Sequence, residues 1–134
     1  MKFALLAVAL LTLKAGETTL GESIYRGGKS IKARMAGSED NLAPAATRCA
    51  NCHGANGRGV AEAGVSGADI RGATLKNREP RRGGPPAAYT LESFRAALRF
   101  GHDPAGVVLA RAMPRYEISG SDSAALWGFL LTLQ

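Results

Sequence analysis

The sequence predicts an all-α domain of short helices joined by long loops. Three observations lead there. Apolar residues recur at helical spacing towards the C-terminus, as Leu91, Phe94 and Leu98 and again as Leu126, Phe129, Leu130 and Leu133. No stretch alternates apolar and polar residues over the length of a strand, and no internal repeat is present. Residues 54–86 are rich in Gly, Arg, Asn and Pro and hold no sustained period. A loop that long folds more readily over a ligand than around nothing. With 134 residues the chain is long enough for one domain with a modest core. Aromatic residues make up only 6% of it, so an apolar cofactor would help to fill that core.

The first element is the run MKFALLAVALLTLKA. Lys2 supplies a charge and Phe3 to Leu13 an apolar stretch too short to cross a bilayer comfortably as a helix. Ala15 is a small residue suited to a cleavage site, whereas Leu13 is not. Residues 1–15 therefore read as a signal peptide or a weak N-terminal membrane anchor, and the chain as an exported one. Residues 16–20 form a polar lead-in. GESIYRGG (21–28) reads as a short helix stopped by glycines, and residues 29–43 as irregular chain broken by Gly37 and Asn41, with Pro44 next. Residues 44–53 hold one or two helical turns. Thr90 is placed to cap a helix over 91–100, with Arg95 and Arg99 outward and Gly101 as its stop. After the turn HDPAG, Val107 to Ala112 reads as a further short helix, and the last helix starts near Ser121 and Asp122.

The net charge is +6, and +4 if the chain is cut after Ala15, with 15 basic against 11 acidic residues. No dense basic helix interleaved with aromatics is present, so nucleic acid is not the partner this charge points to. The densest basic stretch holds Arg71, Lys76, Arg78, Arg81 and Arg82 against one acid, Glu79. It is either a solvated loop or a docking surface for an acidic protein.

The chemistry sits in RCANCHG (48–54), which contains both cysteines of the chain and a histidine directly after the second. A dithiol redox site has this spacing but usually follows a strand, and none is predicted here. A structural zinc site wants four ligands, and Cys49, Cys52 and His53 make three. Covalent attachment of haem c needs only this triplet. Two thiols with two residues between them reach the two vinyl groups on one edge of a porphyrin, and the next residue brings its imidazole to the iron. One haem c, with its iron, is the cofactor expected, held through Cys49 and Cys52 with His53 as one axial ligand. For the other axial position the leading candidate is Met113, 60 residues further on and followed by Pro114. His102 and Met35 are the alternatives.

With these residues placed, the chain resembles the class I, monohaem c-type cytochromes of bacteria over roughly residues 21–133. The likeness rests on CANCHG, on GESIYRGG, and on the tail AYTLESFRAALRFGHDPAGVVLARAMPRYEISGSDSAALWGFLLTL. The resemblance implies the cytochrome c fold over residues 16–134, with the first and last helices crossing at Gly21, Tyr25 and Phe129. Gly27 to Thr47 depart from the simplest members, in which the first helix runs almost directly into the haem motif. The implied function is electron transfer, with no enzymatic activity, between periplasmic or membrane redox partners such as a dehydrogenase, an oxidase or another cytochrome. Acidic docking surfaces on those partners would suit the basic chain. Arg58 and Arg71 are candidates to pair with the haem propionates. The alternative is a haem-based sensor or small-ligand binder with a labile Met113. A peroxidase fits poorly, because those enzymes resemble two-haem chains and this sequence has one attachment motif.

Overall fold

The computed structural model describes residues 20–62 and 65–134. The apolar N-terminal run and its cleavage site lie outside the described residues. Among the described residues no helix is long and apolar enough to cross a membrane. Residues 20–26 are helical (α1). Short elements follow: β1 (Ala33–Arg34), a 3-10 turn (Pro44–Thr47), α2 (Ala50–His53), β2 (Ala61–Glu62), β3 (Val65–Ser66) and α3 (Gly72–Lys76). α4 (Leu91–Phe100), β4 (Arg115–Tyr116) and α5 (Gly120–Leu130) complete the order. Short helices and long loops thus dominate, as the periodicity predicts. The strands are two-residue clasps. β1 pairs antiparallel with β4, Ala33 opposite Tyr116 and Arg34 opposite Arg115, and β2 pairs with β3.

The two longest helices end where the sequence places their caps. The Thr90 hydroxyl accepts from Ser93 N while the Ser93 hydroxyl accepts from Thr90 N, so two amides with no helical partner are satisfied together. Gly101 closes α4 in the left-handed region at φ 75°, its amide bonded to Ala97 O. Ser119 caps α5 by accepting from Asp122 N at 3.1 Å. Two expectations fail. Arg95 does not face water but reaches α5, donating to the Ser123 hydroxyl at 2.9 Å. Residues 107–112 do not form a helix. Asp103 Oδ1 accepts from the amides of Ala105 and Val107, both at 2.9 Å, and Leu109 N donates back to Gly101 O. The side chain thus captures the amides on which a helix would start.

The core lies where α1, α4 and α5 meet. Ile24, Tyr25, Phe94, Leu98, Ile118, Leu126, Phe129 and Leu130 pack in one buried cluster. Each such side chain contributes roughly 1.5–3 kcal/mol by leaving water. α1 crosses α5 at Gly21, where a Cβ would run into Ala125 O and lie 2.7 Å from Phe129 Cβ. Tyr25 is fully buried, its ring 5.4 Å from that of Phe129 and tilted by 49°. That geometry suits aromatic quadrupoles. Gly21, Tyr25 and Phe129 therefore meet as the resemblance implies.

Candidate haem site

The sequence RCANCHG folds as a short helical turn entered from a 3-10 turn. The 3-10 turn is tied by the Thr47 hydroxyl to Pro44 O at 2.9 Å, and Asn51 Nδ2 donates to Ala45 O at 2.8 Å. Cys49 takes helical angles as the N-cap of α2, and His53 N donates to Cys49 O at 2.9 Å. Three residues apart on one helical turn, Cys49 and Cys52 share a face. Both thiols are free. Burial pushes the Cys49 thiol up to about 12, which keeps it protonated. Among the described residues no three His, Cys, Asp or Glu side chains cluster in the manner of a metal-ion site, so the zinc alternative lacks its remaining ligands.

The imidazole of His53 is oriented from behind. Its Nδ1 lies 2.7 Å from Ala68 O. A carbonyl only accepts, so Nδ1 carries the hydrogen and Nε2 is left with its lone pair. Burial lowers the pKa of His53, which favours the neutral ring that a metal needs. The loop that carries Ala68 sits close under the motif because Gly67 has no side chain. A Cβ there would overlap the Cys52 carbonyl and lie 3.1 Å from His53 N. Gly59 N donates to His53 O at 2.8 Å and Val60 N to Cys52 O at 3.2 Å, so the carbonyls at the end of α2 are satisfied by this same loop.

Met113 lies in the segment leading into β4, half-buried against the hydrophobic core that also receives Cys49. Arg115 Nη1 donates to Met113 O at 2.6 Å and Nη2 reaches Leu109 O at 3.4 Å. Tyr116 donates its hydroxyl to Thr47 O at 3.1 Å, two residues from Cys49. Burial raises the Tyr116 pKa, and the nearby Cys49 and Cys52 raise it further. The Met113 segment and the CANCH turn are thus tied together although 60 residues separate Met113 from His53. His102 is exposed and pairs with Val108 in an isolated bridge. Met35 is half-buried in the turn closed by Ser38 N on Met35 O.

A family model described as Cytochrome c matches residues 42–134. The chain belongs to the cytochrome c family. The matched stretch contains Cys49, Cys52, His53 and Met113. No curated protein and no solved structure matches the chain. Membership implies haem c with its iron and electron transfer through it. The residues present fit that group: two free thiols on one helical turn, and beside them a neutral imidazole with one nitrogen unshared.

The two arginines expected at the propionates have partners within the chain. Arg71 is held by Asp69 through several hydrogen bonds, the closest at 2.5 Å, and this holds the Asp69 carboxyl down at about 2. Arg58 Nη2 donates to Gln134 O at 3.2 Å. Arg81 is also committed, donating to the carbonyls of Thr74, Asn77 and Ala87 with its guanidinium 5.1 Å from the centre of the Tyr89 ring. Of the basic stretch, Lys76, Arg78 and Arg82 stay exposed. Ala68 was not legible as a site residue, because a backbone carbonyl has no sequence signature. Arg115 and Tyr116 stand directly in MPRY, where the signal was adjacency to Met113.

Proposed function

We propose that this cytochrome c is a monohaem carrier of single electrons, exported to the periplasm, and not an enzyme. Cys49 and Cys52 would tether one haem, and His53 and Met113 would ligate its iron. The observation that carries this reading is the pinning of His53 Nδ1 by Ala68 O, which offers Nε2 beside two free thiols. Bound haem supplies one-electron exchange between ferrous and ferric iron. The chain supplies the rest. The two thioethers hold the cofactor even when little protein surrounds it. The Ala68 bond fixes the ring and its tautomer. Met113 brings a ligand that takes no proton and favours the ferrous state more than a second histidine would. An open groove of about 580 Å³ is bordered by Arg34, Arg99 and Arg115 but also by Glu117, which Arg34 meets at 3.7 Å; the exposed Lys76, Arg78 and Arg82 are what supports docking of redox partners with acidic surfaces.

The test is spectroscopic. A pyridine haemochrome should report two thioethers and one haem per chain, and the colour should stay with denatured protein. Met113→Ala should abolish the near-infrared band of Met-ligated ferric haem and let carbon monoxide bind the reduced protein, while His102→Ala should do neither. Haem that extracts into acid butanone refutes the attachment. Carbon monoxide binding to the unaltered reduced protein at neutral pH would replace the carrier by the sensor.

A further inference from the structure

The segment around Met113 has no helix to hold it, yet it is anchored on three sides. Arg115 turns back on its own loop, so that one guanidinium donates to the carbonyl of Met113 at 2.6 Å and reaches that of Leu109 at 3.4 Å. Gly101 leaves the slot through which this side chain passes, because a Cβ there would meet the Arg115 guanidinium, 2.6 Å from Nη2. Behind Arg115 the backbone is paired with β1, Arg34 opposite Arg115 and Ala33 opposite Tyr116, and Glu117 N donates to Lys32 O at 2.9 Å. Ala33 is fully buried in that clasp. Residues 29–43, irregular by sequence, thus have a place: they carry the strand that backs the Met113 loop.

We propose that Arg115 is a positioning residue for the distal ligand, holding the Met113 loop closed through the carbonyls of Met113 and Leu109 with the β1–β4 clasp as its brace. The proposal rests on Met113 being that ligand. A planar fork suits two carbonyls at once, and a charged donor makes the stronger bond. Loss of the fork raises the fraction of molecules in which the loop has let go. An external ligand enters only in that fraction, so its apparent affinity rises in the same proportion.

The experiment titrates imidazole into the ferric haem-loaded protein and follows the near-infrared band. Removal of one charge-assisted hydrogen bond shifts such an equilibrium by about tenfold or more. Arg115→Ala should therefore bind imidazole about tenfold more tightly. Arg115→Lys, which keeps the charge but not the fork, should fall between it and the native protein, and serves as the deciding variant if Arg115→Ala does not accumulate. Arg99→Ala removes a neighbouring charge from the same groove and should leave imidazole binding unchanged. Arg95→Ala cuts the tie between α4 and α5, and should lower the melting temperature without changing imidazole affinity. Native imidazole affinity in both Arg115 variants, while Met113→Ala loses the band, overturns the proposal and leaves the ligand assignment standing. Retention of the band in Met113→Ala overturns the ligand assignment itself.

Discussion

Gly67→Ala tests how the proximal side of the site is built. A methyl group at Gly67 would overlap the Cys52 carbonyl and lie 3.1 Å from His53 N. Carbon atoms rest at about 3.5–4.0 Å, so the loop must withdraw by roughly 1 Å or more. Ala68 is the next residue, and its carbonyl moves with it. A hydrogen bond of 2.7 Å stretched that far is lost. The Nδ1 hydrogen bond makes a histidine ligand more basic, which favours the ferric state, so its loss raises the potential. Outer partners of this kind are worth about 10–100-fold. Only the part of that factor that differs between ferric and ferrous iron reaches the potential, so at about 59 mV per tenfold for one electron the midpoint should rise, by at most about 60–120 mV. Redox titration of the haem-loaded variant measures this. Ala68→Gly is the control, since it keeps the carbonyl and should leave the potential where it is. An unchanged midpoint in Gly67→Ala, or an equal rise in both variants, refutes the idea that the loop tunes the iron through His53.

Three further outcomes are expected. Gly21→Ala forces α1 off α5 against Ala125 O and Phe129, and the overpacking should cost about 1–3 kcal/mol, seen as a melting temperature lower by about 4–15 °C. Gly128→Ala on α5, where a Cβ meets nothing within 4 Å, should instead stabilise by up to about 1 kcal/mol; the opposite ranking would mean that the crossing is wrongly placed. Asp69, held at about 2 by Arg71, stabilises the fold above the ordinary carboxyl pKa of 3.8 and ceases to do so as pH falls towards 2. Asp69→Asn should thus lower stability at pH 7 by at most about 1 kcal/mol, because the pair is solvent-screened, and by clearly less near pH 2, where the carboxyl is half protonated; thermal unfolding at both values checks the sign. Reversing the charges of Arg78 and Arg82 should slow electron transfer to an acidic partner at low salt and matter little at high salt; stopped-flow rates unaffected at low salt would leave that stretch a plain solvated loop.

What was legible in the sequence was what short-range physics decides. The CANCH triplet, the caps at Thr90 and Gly101 and the apolar faces of α4 and α5 all declare themselves within a dozen residues. The role of Gly21, Tyr25 and Phe129 needed the family resemblance, because the crossing joins residues about a hundred positions apart. The β1–β4 clasp was hidden for a physical reason. Two residues per strand are too few to alternate, and their register is set by partners more than eighty positions away. The failed helix at 107–112 has a local cause that periodicity ignores, a carboxylate that competes for backbone amides. Arg95 looked like a surface residue because its partner, Ser123, belongs to another helix.

The clasp also sets an order of assembly. Both early segments of the described chain are matched to late ones, α1 against α5 and β1 against β4, while the cysteines lie in between. A chain that emerges from its N-terminal end therefore cannot complete either pairing until residues 115–130 are free. Contacts of such long range close slowly, since the ends of a large loop must first find each other. Until then one wall of the pocket beside Cys49, made by Tyr116, Ile118 and Leu126, is not in place. Closure of the fold over Cys49 therefore waits on the last third of the chain, while the loop at 59–68 that packs on Cys52 is local.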